Sequence, residues 1–125
     1  MLIDSSIVID HLRGHPEARQ FLQDCQRHGD LTSHAVVVAE VLAGARNRAD
    51  QDQIERVFAS FRITQISEVD STESIRLLTR HRLASGVGWL DCLIAATALR
   101  LAEPVATLNV RHFSVFSGLQ VLRPY

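Results

Sequence analysis

Short apolar runs alternate with helix-length stretches along the whole of this chain, and no other feature restricts its architecture as much. Leu2-Ile3, Leu31-Thr32, Ile63 to Ile66, Val105 to Leu108 and Leu119 to Leu122 read as brief strands. Between them lie segments with apolar residues three and four apart, such as Ala18, Phe21, Leu22 and Cys25, or Ile54, Val57, Phe58 and Phe61. Strands separated by helices cannot pair as hairpins. The pattern therefore predicts an α/β chain with a central, mainly parallel sheet of about four to five short strands flanked by helices. Trp89 to Leu101 is almost wholly apolar and is expected to be a buried helix. Ser5 or Ser6 is a candidate cap for a helix running to Leu12, and Ser33 for one from Val36 to Ala45. Helices are also expected from Pro16, stopping at Gly29, from Asp50 to Phe61, and from Thr72 to Ala84, closed by Gly86.

The chain has 125 residues, 46% of them apolar, and a net charge of −1. That length makes one domain, 1–125, which buries roughly two thirds of its unfolded surface. A net charge near zero excludes a global basic field, so any nucleic-acid partner needs a local basic patch. All 13 basic residues are Arg. Chemistry that needs a Lys is excluded, and the guanidinium forks suit phosphate. The two cysteines, Cys25 and Cys92, do not make a disulfide framework and read as reduced thiols. No secretory leader is visible after Met1, and no apolar stretch approaches the roughly 20 residues of a membrane span. A cytoplasmic protein without membrane attachment is expected.

Three carboxylates fall inside apolar sequence. Asp4 follows Met1-Leu2-Ile3, Glu40 lies within Ala35 to Ala43, and Asp91 within Trp89 to Ala96. A lone buried carboxylate costs several kcal/mol unless it is paired, protonated or bound to a cation. No Lys is available as partner, so the three are expected to converge on a hard divalent ion, Mg2+ or Mn2+. Such a site orients a water and stabilises charge on a phosphodiester. Each acid also has a plain reading: Asp4 and Asp91 as helix caps, Glu40 as a solvent-facing residue. Thr107 and Asn109, at the end of the Val105 strand, suit hydrogen bonding to ligand carboxylates. His112 reads either as a surface residue or as a base or weak ligand at the site. His11, His15, His28, His34 and His81 read as solvated helix ends or faces. Phe113, Val115 and Phe116 either pack in the core or offer an apolar partner surface.

These residues together resemble the PIN-domain ribonucleases, and specifically the VapC-type toxins of toxin–antitoxin pairs. The motifs, in order, are Leu2-Ile3-Asp4-Ser5-Ser6, Ala39-Glu40-Val41-Leu42-Ala43-Gly44, Asp91 to Ala98, and Thr107 to Phe113. Each alone is weak, but four in sequence across the chain are specific. The resemblance implies a Mg2+ or Mn2+ site, with Asp4, Glu40 and Asp91 as both catalytic residues and metal ligands. It implies that Ser5, Thr107, Asn109 and His112 support those ligands or touch substrate. His112 stands where the family often has a fourth acid, which removes one negative charge and puts a tightly bound second metal in doubt. The resemblance further implies cleavage of single-stranded RNA, a VapB-like antitoxin that blocks the site, and a homodimer. Two other readings compete: a PIN-like module that binds RNA or a partner without turnover, and a DNA-directed nuclease. A receiver-like phosphoacceptor domain is disfavoured because its chemistry leans on a Lys.

Overall fold

The computed structural model describes residues 1–125. Its elements run β1 (Leu2–Ile3), α1 (Ser5–Leu12), α2 (Pro16–Arg27), β2 (Thr32–His34), α3 (Ala35–Ala43), α4 (Arg48–Phe58), β3 (Arg62–Thr64), α5 (Glu68–Ser85), α6 (Trp89–Leu101), β4 (Val105–Ala106), α7 (Val110–Phe113) and β5 (Val121–Leu122). The five strands form one sheet in the order β3-β2-β1-β4-β5, and every pairing is parallel. Leu2 is in register with Thr32 on one side and Val105 on the other. The chain builds outward from β1 through β2 to β3, then returns to β1's other flank as β4. The order therefore reverses between β1 and β4, and the crevice beyond the carboxyl ends of those two strands is where such sheets place a site. Asp4 ends β1 and Thr107 ends β4.

The core explains the strand composition. Leu2, Ile3, Val105 and Ala106 are each at most 1% exposed, as expected for a sheet covered on both faces. In α6, Cys92 to Ala98 is buried without interruption, and α6 packs along α5. Fully burying one Leu or Ile side chain contributes roughly 1.5–3 kcal/mol. Phe113 and Phe116 belong to this core at 0% and 2% exposure, and Val115 packs against it. The C-terminal aromatic cluster is thus not a partner surface.

Several helix starts differ from the sequence expectation. Asp4, not Ser5 or Ser6, is the N-cap of α1, because β1 ends there and both serines already lie in the helix. His34, not Ser33, caps α3: Ser33 lies in β2 and donates its hydroxyl to the Ile3 carbonyl at 2.7 Å. Helix α5 starts at Glu68, four residues ahead of the expected Thr72, because the Ser67 hydroxyl accepts from the Asp70 N–H at 3.1 Å. It ends at Gly86, where a φ of +74° turns the chain in the left-handed region that glycine tolerates. The Val110–Phe113 turn of helix is an element the strand pattern did not announce.

Candidate active site

Asp4 is only 3% exposed. Its backbone caps α1, but its side chain makes no cap hydrogen bond. It turns instead toward β4. Oδ2 accepts from Ser6 Oγ at 2.9 Å and from Thr107 Oγ1 at 2.8 Å, while Oδ1 has only a 3.5 Å contact with Ser5 Oγ. Each of the two close hydroxyls is itself oriented. Ser6 Oγ accepts from the Leu108 N–H at 3.0 Å, and Thr107 Oγ1 accepts from the Asn109 N–H at 2.9 Å. With lone pairs engaged by the backbone, both hydroxyls aim their single proton at Asp4. One carboxylate oxygen is thereby held and the other left with a free lone-pair face. Ser6 is the close partner that sequence reasoning passed over in favour of its neighbour Ser5. Asn109 contributes its backbone N–H, while its own side chain makes no cap bond.

Asp91 sits three residues into α6, whose N-cap is Gly88. His112 Nδ1 lies 3.2 Å from its Oδ2. Burial pushes the Asp91 carboxyl above its ordinary range. His112 opposes that rise, the negative charge of Asp4 adds to it, and the Gly88 N–H moderates it. Asp91 is thus a first-turn acid of α6, whose cap is Gly88, and its side chain lies against His112.

Glu40 is placed differently. It is exposed on α3, not buried, because Val36, Val37 and Val41 take the inward face while Ala39, Ala43 and Gly44 share its outward one. It lines a groove of about 460 Å³ between α1, α3 and α4, with Arg13, Arg46 and Asp50 on the rim. No three His, Cys, Asp or Glu side chains stand close enough to share an ion. The structure thus sets Thr107 on Asp4 and His112 on Asp91, with the charge of Asp4 felt at the Asp91 carboxyl, and places Glu40 in the groove lined by α1, α3 and α4.

The donor set nevertheless suits a hard cation. Its acids offer only oxygen, and Asp4 is a buried carboxylate whose only hydrogen-bond donors are hydroxyls, with Oδ1 touched by a single one at 3.5 Å. A buried charge so placed is stabilised by a positive partner.

His34 is a further correction. It is fully buried, not a solvated helix end, and its Nδ1 accepts from the Val36 N–H at 3.2 Å. His11 and His81 are half-buried; His15 and His28 are exposed as expected.

Residues 1–118 match the PIN domain family. The chain is 37% identical over 121 residues to Ribonuclease VapC10 of Mycobacterium tuberculosis, covering 96% of this chain and 90% of that protein. Among solved structures it resembles a toxin–antitoxin complex from Klebsiella pneumoniae, with a TM-score of 0.78, 27% identity and coverage of 99% of this chain and 97% of that one. It also shares the fold of VapBC2 from Rickettsia felis bound to a DNA fragment from their promoter, at a TM-score of 0.80 and 19% identity, covering 97% and 96% of the two chains.

Proposed function

This chain belongs to the PIN-domain family, and we propose that it is a metal-dependent endoribonuclease cleaving single-stranded RNA, the toxin of a toxin–antitoxin pair. The observation that carries the chemistry is the Asp4 carboxylate, buried, clamped on one oxygen by Ser6 and Thr107 and open on the other. The name of its 37% identical relative supports the substrate. Asp4 and Asp91 would hold the ion, with the exposed Glu40 as the third carboxylate. The chemistry that a Mg2+ or Mn2+ would supply there is activation of water and offset of charge on the phosphodiester. Ser6 and Thr107 keep Asp4 oriented, so no reorganisation is required when negative charge develops nearby. His112 stands beside Asp91, positioned to hand a proton to the leaving oxygen or to steady the carboxylate. Arg13 and Arg46 at the rim of the Glu40 groove supply phosphate contacts for the strand. Cleavage takes place in the cytoplasm; no helix is long and apolar enough to cross a membrane. A VapB-like antitoxin blocks the site, a reading supported by the likeness to the Klebsiella pneumoniae toxin–antitoxin complex. The protein acts as a homodimer, for which α5 offers exposed Val69, Ile75 and Leu83.

The test is a labelled single-stranded RNA with the purified protein. EDTA should abolish cleavage and Mg2+ or Mn2+ should restore it, and Asp4→Asn should be inactive with either ion. Full activity in excess chelator would refute the proposal. Preferential cutting of DNA would redirect it to a DNA nuclease, and RNA binding without cleavage by any ion would leave only a binding module.

A further inference from the structure

A second polar cluster lies away from the site. Asp70, 1% exposed, receives a two-pronged guanidinium contact from Arg100: Nε donates to Oδ1 at 2.7 Å and Nη2 to Oδ2 at 2.8 Å. Thr97 Oγ1 lies 2.9 Å from Asp70 Oδ2 and 3.2 Å from His34 Nε2. Because His34 Nδ1 accepts from the Val36 N–H, the ring is neutral and carries its proton on Nε2. Burial favours that neutral form. The Nε2 proton then goes to Thr97 Oγ1, whose own proton goes to the carboxylate, with the Leu93 carbonyl at 3.0 Å as its alternative acceptor. The relay therefore runs in one direction, from the Val36 amide through His34 and Thr97 to Asp70, where Arg100 balances the charge.

The elements it joins are those of the site. His34 caps α3, which carries Glu40, and Thr97 belongs to α6, which carries Asp91. Asp70 belongs to α5 and touches neither acid. Only the Asp70 end of this ion pair is buried; such pairs give little net stability over apolar packing, and their best-attested use is to fix one arrangement among several. We infer that His34 and Thr97 are positioning residues, holding α3 in register with α6 so that Glu40 can reach the ion bound by Asp4 and Asp91. This rests on the metal-site reading above.

His34→Asn and Thr97→Val separate positioning from mere stability. Asn keeps a cap for the Val36 N–H but is too short to reach Thr97. Val keeps the volume of Thr97 but cannot relay. Both variants, assayed well below their melting temperatures, should weaken Mn2+ binding by roughly tenfold and lower kcat by a similar factor, the scale seen when groups that orient metal ligands are removed. KM for the RNA should hold. Because both break the same relay, the double variant should lose no more than either single one. Thr97→Ser, which restores the hydroxyl, should recover Mn2+ affinity. Imidazole nitrogen NMR should show the Nε2–H tautomer of His34 in the wild type. Unchanged Mn2+ affinity in folded His34→Asn and Thr97→Val would overturn the inference, as would additive losses in the double variant. Asp4→Asn in the same titration is the control for the underlying reading: if it binds Mn2+ like the wild type, the metal site itself has been misplaced.

Discussion

Replacing Thr107 with Val isolates the clamp on Asp4. The side chain is fully buried and Val is close to isosteric, so no cavity opens. Two hydrogen bonds vanish. The first, 2.8 Å to a carboxylate oxygen, is of the charged kind that contributes about 1.5–3 kcal/mol. The second accepts the Asn109 N–H; Asn109 is exposed, so water replaces that bond and its loss adds at most about 1 kcal/mol. The expected destabilisation is therefore about 2–3 kcal/mol, or roughly 10 °C in melting temperature for a domain of this size. Activity should suffer more than stability. Without Thr107, Asp4 Oδ2 keeps only Ser6, and a misplacement of about 1 Å in a catalytic group can cost about a hundredfold in rate. Thermal melts and single-turnover cleavage of a labelled RNA, at a temperature where the variant is folded, measure both quantities. Thr107→Ser serves as the control: it keeps both bonds, loses one methyl group, and should retain most of the activity. In a cycle with Asp4→Asn, the Thr107→Val penalty should shrink, because a neutral amide gains less from the hydroxyl. A Thr107→Val protein that melts and cleaves like the wild type would refute the clamp, and with it the assignment of Asp4 Oδ2 as the held oxygen.

Other consequences are as direct. Burial raises the Asp91 carboxyl in the fold, so its ionised form costs the metal-free protein stability at neutral pH. Metal-free Asp91→Asn should melt higher than the wild type there, the gap narrowing as pH falls through the raised pKa and closing below about pH 4, the unfolded value. A lower melting temperature would make the helix cap its dominant role. Arg100 depresses the Asp70 carboxyl, so the pair's stability is present above that unfolded value and lost as pH falls through the depressed pKa. Arg100→Leu should destabilise the fold near neutrality, because it leaves the buried Asp70 carboxylate without its cation. A penalty independent of pH, measured by urea unfolding across the acid range, would contradict this. His112→Ala should reduce cleavage less than Asp4→Ala, and His112→Asp should tighten Mn2+ binding in calorimetry. If neither substitution changes Mn2+ affinity or cleavage, His112 is a surface residue. Sedimentation should show a dimer at micromolar concentration, weakened by Ile75→Glu on α5; a strict monomer would exclude the dimer.

The fold was legible because a parallel sheet leaves a coarse signature. Leu2-Ile3 and Val105-Ala106 are apolar on both faces, and the helices between carry three-and-four spacing. The helix starts were less legible. Sequence preference favoured the hydroxyl residues Ser5 and Ser33, whereas the cap falls wherever the strand stops, at Asp4 and His34. Asp4 and Asp91 stood out as acids within apolar runs; Asp4 is buried, and its charge is felt at the half-buried Asp91 carboxyl. Glu40 gave the same signal but is exposed, since Ala39, Ala43 and Gly44 are apolar without needing burial. Asp70 escaped notice on a helix that reads as polar-faced. The cue was there, in Ser67 three residues ahead of an acid, which marks a capped first turn rather than a wet surface.

The Asp4–Thr107 hydrogen bond spans 103 positions of chain. During synthesis, β1 emerges first, and β2 can join it once α1 and α2 have formed. The second wall of the crevice arrives only with β4, after α6, and so does the hydroxyl that fixes the Asp4 carboxylate. Parallel pairings of such separation form late, because loop closure must precede any gain from contact. A growing chain on the ribosome therefore carries Asp4 without its clamp for most of its translation. The oriented form of the crevice is therefore a property of the finished fold and of no shorter stretch of it.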